Sequence, residues 1–169
     1  MPPHASTIAV RALLAHLRLR FALDWYDIHG AAHWARVRAI GLHLAQRTGA
    51  DPTVVELFAW LHDSCRWNDG TDPEHGQRAA ELGAELNGQF YDLEPSRLEL
   101  LAAACRGHSN GETEGEVTVT TCWDADRLDL GRIGVIPDPA RLCNDAARSR
   151  ATITWAWERS NRWADRQWT

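Results

Sequence analysis

The sequence predicts an all-α domain, a bundle of about seven or eight helices. Three observations lead there. Apolar residues recur at helical rather than alternating spacing in nearly every segment. The segments are punctuated by helix stop and start signals such as Thr48-Gly49, Asp51-Pro52 and Pro137-Asp138-Pro139. The 169 residues contain no repeat, low-complexity tract or linker, and suffice for one domain over 1–169 with its own core.

A first helix is expected over roughly residues 6–24, followed by a turn at Asp27-Ile28-His29-Gly30. The second runs from about 31 to 47, with Val37, Ile40, Leu44 and Ala45 on one face and Thr48-Gly49 as its stop. Asp51-Pro52 has the pattern of an N-cap followed by proline at the first helical position. The third helix then runs through Val54 to Trp60 and ends at His62-Asp63. Residues 66–73 form a polar loop dense in turn residues. A fourth helix spans about 74–87 and a fifth about 94–107, followed by a loop over 107–116. The sixth carries Trp123 to Asp129, although Val117-Thr118-Val119 is ambiguous between helix and strand. A seventh is expected near 139–150, and the Trp-rich tail supplies an eighth, making 139–169 a helical extension.

The net charge of −5 offers no electrostatic case for binding nucleic acid or a membrane surface. All 18 basic residues are arginine, consistent with a GC-rich coding bias, which excludes a Schiff-base or Walker-type lysine. Cys65, Cys105, Cys122 and Cys143 are scattered and read as free thiols of a reducing compartment. The segment 8–18 is broken by charge too early for a signal peptide, and no run is long enough to span a bilayer, so a cytoplasmic location is expected. Trp25, Trp34, Trp60, Trp123, Trp155, Trp157, Trp163 and Trp168 could stack on bases. Without a basic groove, closing the core or a homodimer contact is the favoured reading.

A further set of residues carries chemistry. His33 lies early in the second helix, His62-Asp63 end the third, His75 opens the fourth, His108 follows the fifth and Asp126 lies in the sixth. Imidazole and carboxylate are the donors of a Zn, Fe, Mn or Mg centre. Residues on separate helices, mostly near their ends, can meet in one cleft of a bundle. Adjacent residues are about 100° apart around a helix, so His62 and Asp63 reach one ion only at a helix end or in a concave site.

In this order the motifs His33-Trp34-Ala35-Arg36-Val37, Leu61-His62-Asp63 and Ala125-Asp126-Arg127-Leu128-Asp129 resemble the H…HD…D pattern of the HD superfamily of metal-dependent phosphohydrolases. The resemblance covers about residues 27–135. It implies an HD-domain helical bundle, with His33, His62, Asp63 and Asp126 as metal ligands. Its Ala-Asp-Arg-Leu pattern selects Asp126 rather than Asp124, and leaves Asp129 to pair with Arg36 or Arg132. Some subgroups add two histidines, which His75 and His108 match. Either those two hold a second ion, with Asp63 bridging, or they line the cleft and contact phosphate.

The implied cofactor is one or two divalent ions (Mn, Fe, Co, Zn or Ni, with Mg also permitted). The implied reaction is attack of an activated water on a phosphate ester or phosphoanhydride, expected in a nucleotide. Arg66 would stabilise phosphoryl charge or form an ordinary salt bridge. Asn68 is a substrate contact, and Arg106 another possible phosphate contact. Asp69 or His108 would manage protons. His29 is a helix-entry residue or a substrate contact, and His43 a packing residue. Nothing recommends His4 or His16. The competing expectations are a di-iron oxygenase on the same ligands and a non-catalytic nucleotide sensor.

Overall fold

The computed structural model describes residues 7–167, and the side chains of residues 7–162. His4, Trp168 and the Trp163 side chain lie outside that description. Among the described residues eight α-helices are joined by turns, and the nearest thing to a strand is an isolated bridge between Asn87 and Tyr91. None of these helices is long and apolar enough to cross a membrane.

Helix α1 spans Val10–Arg20 and ends sooner than its apolar pattern suggests. Phe21 leaves the helix in an extended conformation, and its ring packs edge-on against Trp25 and Trp34. Burying that aromatic cluster outweighs one more helical turn. Helix α2 (Ala31–Thr48) stops where Gly49 takes the left-handed conformation at φ 79° and donates its N–H to the Ala45 carbonyl.

Helix α3 (Pro52–Leu61) is the centre of the bundle. Asp51 caps it by accepting from the Thr53 and Val54 N–H groups, and seven of its ten residues are buried. Such a helix has no solvent face, which is why its sequence is almost continuously apolar. It packs on α2, α5 (Pro95–Gly107) and α6 (Val117–Arg127). At Gly41 a Cβ would lie 2.6 Å from Val55 Cγ1 and 3.3 Å from Ala125 Cβ, so α2 meets both neighbours at its glycine.

The ambiguous start of α6 is settled by Glu116, whose carboxylate accepts from the Thr118 and Val119 N–H groups. The chain then tightens into a 3-10 segment, Leu128–Ile133. The expected seventh helix is broken. A 3-10 turn at Pro139–Arg141 is followed by extended Leu142 and Asn144 and the single turn α7 (Asp145–Arg148). Asp124 is the cause: its carboxylate accepts the backbone N–H groups of Cys143 (2.7 Å) and Asn144 (2.9 Å), which a continuous helix could not offer. Helix α8 (Arg150–Gln167) closes the bundle over the 3-10 segment. Trp155 stacks on His43 with ring centres 4.4 Å apart, so His43 is a packing residue.

Candidate metal centre

His62 is the C-cap of α3 and Asp63 the residue beyond it, so both side chains emerge where that buried helix ends. His33 comes from the first turn of α2 and Asp126 from the last turn of α6. Helix α4 (His75–Leu86) opens with His75, and His108 caps the end of α5. A close helix contact brings the last two together: a Cβ at Gly76 would run into the Cys105 carbonyl oxygen.

Every one of the four histidines is fixed through Nδ1. His33 Nδ1 lies 2.7 Å from Asp129 Oδ2, and His62 Nδ1 lies 3.2 Å from the carbonyls of Phe58 and Ala59. His75 Nδ1 faces the Asp72 carbonyl, and His108 Nδ1 lies 2.7 Å from that of Cys105. Carbonyls and carboxylates only accept, so each Nδ1 carries the proton and donates it. In the neutral rings each Nε2 is then a lone pair, and the four lone pairs converge.

They converge as two groups sharing one carboxylate. His33 Nε2 and His62 Nε2 are 3.1 Å apart, with Asp63 Oδ2 at 3.5 and 3.7 Å and Asp126 Oδ1 at 3.3 and 3.6 Å. His75 Nε2 and His108 Nε2 are 2.8 Å apart, with Asp63 Oδ1 at 3.3 and 3.6 Å. Each cluster, His33–His62–Asp63 and Asp63–His75–His108, has donor atoms close enough for one ion. Two donors about 2.1 Å from one ion at right angles are about 3 Å apart, so the spacings suit adjacent coordination positions.

The electrostatics point the same way. The Asp63 carboxyl is buried and the Asp126 carboxyl half-buried, which alone would raise their pKa values, yet the surrounding histidines hold both well below the usual carboxylate range. Burial and Arg132 lower His33, but Asp126, Asp129 and Asp63 overcome them and push it up to about 9. His108 is raised, with Asp63 and Asp126 overcoming burial, whereas burial prevails at His62 and lowers it. Thus one imidazole of each facing pair attracts a proton, the positive charge that a pair of lone pairs beside buried anions requires. A divalent cation meets that requirement at both positions.

Asp129 is not in the cluster but behind it. Besides His33 it accepts Arg36 Nε at 2.7 Å and Ser160 Oγ at 2.6 Å, while Arg132 donates to its backbone carbonyl. Its position three residues after Asp126 signalled a shared helix face. Ser160, from α8, had no such signal. Asp124 points the other way, into the 143–144 backbone.

The loop after Asp63 is arranged differently from the cluster. Arg66 donates Nε to Asp63 Oδ1 at 2.9 Å and Nη1 to the carbonyls of Asn68 and Gly70. Asn68 accepts the Gly70 N–H and donates to the Thr71 carbonyl, so its amide closes its own turn. Asp69 is exposed and lies 2.8 Å from His29 Nδ1, while the buried His29 ring stands edge-on to His33. Asp72, absent from the sequence-based site, accepts Arg78 and the Trp67 N–H and supplies the carbonyl that fixes His75. Arg106 is exposed.

No protein-family model matches the chain, and no curated protein matches it. Among solved structures, a predicted HD superfamily hydrolase from an uncultured Thermotogales bacterium superimposes with a TM-score of 0.69 at 24% identity. The match covers 96% of this chain and 94% of the other. The chain therefore has the all-helical HD-type fold, with the histidines and aspartates of its H…HD…D pattern gathered where α2, α3 and α6 meet.

Proposed function

We propose that the protein is a metal-dependent phosphohydrolase acting on a small phosphorylated substrate, with a nucleotide as the expected class. The observation that carries this reading is Asp63, whose two oxygens face two separate pairs of histidine lone pairs. His33, His62, Asp63 and Asp126 would hold one ion, and His75, His108 and Asp63 a second. Divalent ions in such a site acidify a bound water and polarise a phosphoryl oxygen.

The rest falls to the chain. Asp129 and the carbonyls of Phe58, Ala59, Asp72 and Cys105 keep each Nδ1 protonated, and so keep each Nε2 available. Arg66 steadies Asp63 through Nε and brings positive charge to the edge where phosphoryl oxygens would sit. Burial lowers the pKa of His29. With Nδ1–H given to Asp69, His29 Nε2 is left to take a proton beside His33.

The decisive experiment is elemental analysis of the purified protein, followed by a phosphate-release screen with the matching metal. About one or two bound equivalents and metal-dependent release are expected. Tightly bound iron with oxygen uptake and no phosphate release would instead make the site an oxygenase.

A further inference from the structure

The two histidine pairs meet Asp63 on unequal terms. His33 and His62 have a second carboxylate, Asp126 Oδ1, at 3.3 and 3.6 Å, and His33 Nδ1–H is given to the Asp129 carboxylate. A carboxylate behind an imidazole makes its other nitrogen a stronger donor. His75 and His108 share the single oxygen Asp63 Oδ1, and their Nδ1–H groups go to the neutral carbonyls of Asp72 and Cys105. That same oxygen accepts Arg66 Nε at 2.9 Å. Arg36 and Arg132, near the first pair, stand one residue further back, on Asp129. Arg66 is pinned, since its Nη1 also donates to the carbonyls of Asn68 and Gly70 at 3.2 Å each. A fixed guanidinium thus sets its positive charge against a cation on the one oxygen that Asp63 offers to this pair.

We infer that Arg66 makes the two cation sites unequal and ties the second one to the substrate, an inference that rests on the phosphohydrolase reading. His33, His62, Asp63 and Asp126 hold a resident divalent ion. His75, His108 and Asp63 hold an exchangeable one, weakly bound until an anion offsets the Arg66 charge. A phosphoryl group is that anion. Of the side chains that face Asp63, Arg66 is the most accessible: 13% of it is exposed, against 0% for His33 and His62, 2% for His75 and 3% for His108. An oxyanion can therefore pair with its guanidinium without entering the buried cluster. The coupling is reciprocal, so a phosphate that tightens the second ion is itself tightened by that ion to the same degree. The second site then fills when substrate is present and empties when it leaves.

The test titrates metal-free protein with Mn(II), by calorimetry and by the spin-coupled electron paramagnetic resonance signal of paired ions, in chloride and with inorganic phosphate at the same ionic strength. The wild type should bind in two steps at least about tenfold apart, with the weaker one missing in His75→Ala. Phosphate should tighten the weaker step about fivefold or more and leave the stronger one alone. Arg66→Gln should tighten the weaker step by a similar factor without phosphate, and phosphate should then add little. Arg66→Lys keeps the charge and should keep both the gap and the phosphate effect. A merely structural Arg66 predicts the opposite sign, because a loosened 66–73 loop weakens metal binding. Equal steps, an Arg66→Gln variant that binds no tighter, or a phosphate effect undiminished in that variant would overturn the inference. So would a single equivalent at saturating Mn(II) and phosphate, which would leave a hydrolase working with one ion. Coupled loading as described, with no phosphate released from any ester, would sink the hydrolase reading and leave the role of Arg66 standing.

Discussion

His75 Nε2 and His108 Nε2 face each other at 2.8 Å, although 33 residues separate them and each donates its Nδ1–H to a backbone carbonyl. Two lone pairs at that distance repel unless a positive charge lies between or beside them. His33 and His62 repeat the arrangement at 3.1 Å. Without a metal each pair needs a proton to supply that charge, so a metal that takes the proton's place binds the folded site and links metal binding to stability.

Chelation should accordingly lower the melting temperature. At free metal about 100 times its Kd, one site stabilises by about 2.7 kcal/mol. Calorimetry before and after a chelator, with metal restored afterwards, measures the shift. An unchanged transition in protein shown to have carried metal would refute the linkage.

The two clusters should empty separately. His75→Ala should remove one bound equivalent and Asp126→Asn the other, whereas Asp63→Ala should remove both, because its oxygens face both pairs. Asp124→Asn is the control within the same helix. Its carboxylate holds the backbone of 143–144, so metal should stay while the C-terminal segment loosens. Mass-spectrometric metal counts on the four variants distinguish these outcomes, and equal metal loss in the Asp124 and Asp126 variants would contradict the assignment.

The helices were legible where one residue sets a boundary. Asp51-Pro52 and Thr48-Gly49 act through local hydrogen bonds, and the structure has both. The boundaries that were not legible depend on distant partners. Phe21 leaves α1 for Trp34, and Asp124 breaks the expected helix at 139–150 from nineteen and twenty residues away. The site divides in the same way. His33, His62, Asp63, His75, His108 and Asp126 are donor types at helix ends, visible in sequence. Ser160 and the Asp72 carbonyl are ordinary groups that matter only through where α8 and the 66–73 loop come to lie.

Asp129→Asn should weaken metal binding without removing a ligand. The carboxylate holds His33 Nδ1–H and is itself held by Arg36 and Ser160. Loss of such a supporting charge typically costs about 10–100-fold in metal affinity. Ser160→Ala should act in the same direction but less, since Arg36 still grips Asp129. Competition with a fluorescent chelator measures both, and an Asp129→Asn affinity equal to the wild type would reduce Asp129 to a packing role.

The cap of α3 gives a prediction in pH. Asp51 accepts the Thr53 and Val54 N–H groups, and Arg97 of α5 grips it from the side at 2.6 and 2.7 Å. Burial works against the charge, but Arg97 and the two N–H groups outweigh it and lower the Asp51 pKa from the ordinary 3.8. A depressed carboxylate stabilises the fold above its unfolded value and loses that contribution as pH falls through its folded value. Asp51→Asn keeps a cap but not the charge, so it should be less stable than the wild type at neutral pH, and the gap should close below about pH 4. Asp51→Ala should cost about 0.5–2 kcal/mol at neutral pH, because it removes the cap as well. Urea unfolding from pH 7 to 3 measures all three proteins. Equal stability of the wild type and Asp51→Asn at pH 7 would mean that the Arg97 pair contributes nothing. Because α3 and α5 carry His62, Asp63 and His108, loss of this tie should also loosen the metal site before the bundle unfolds.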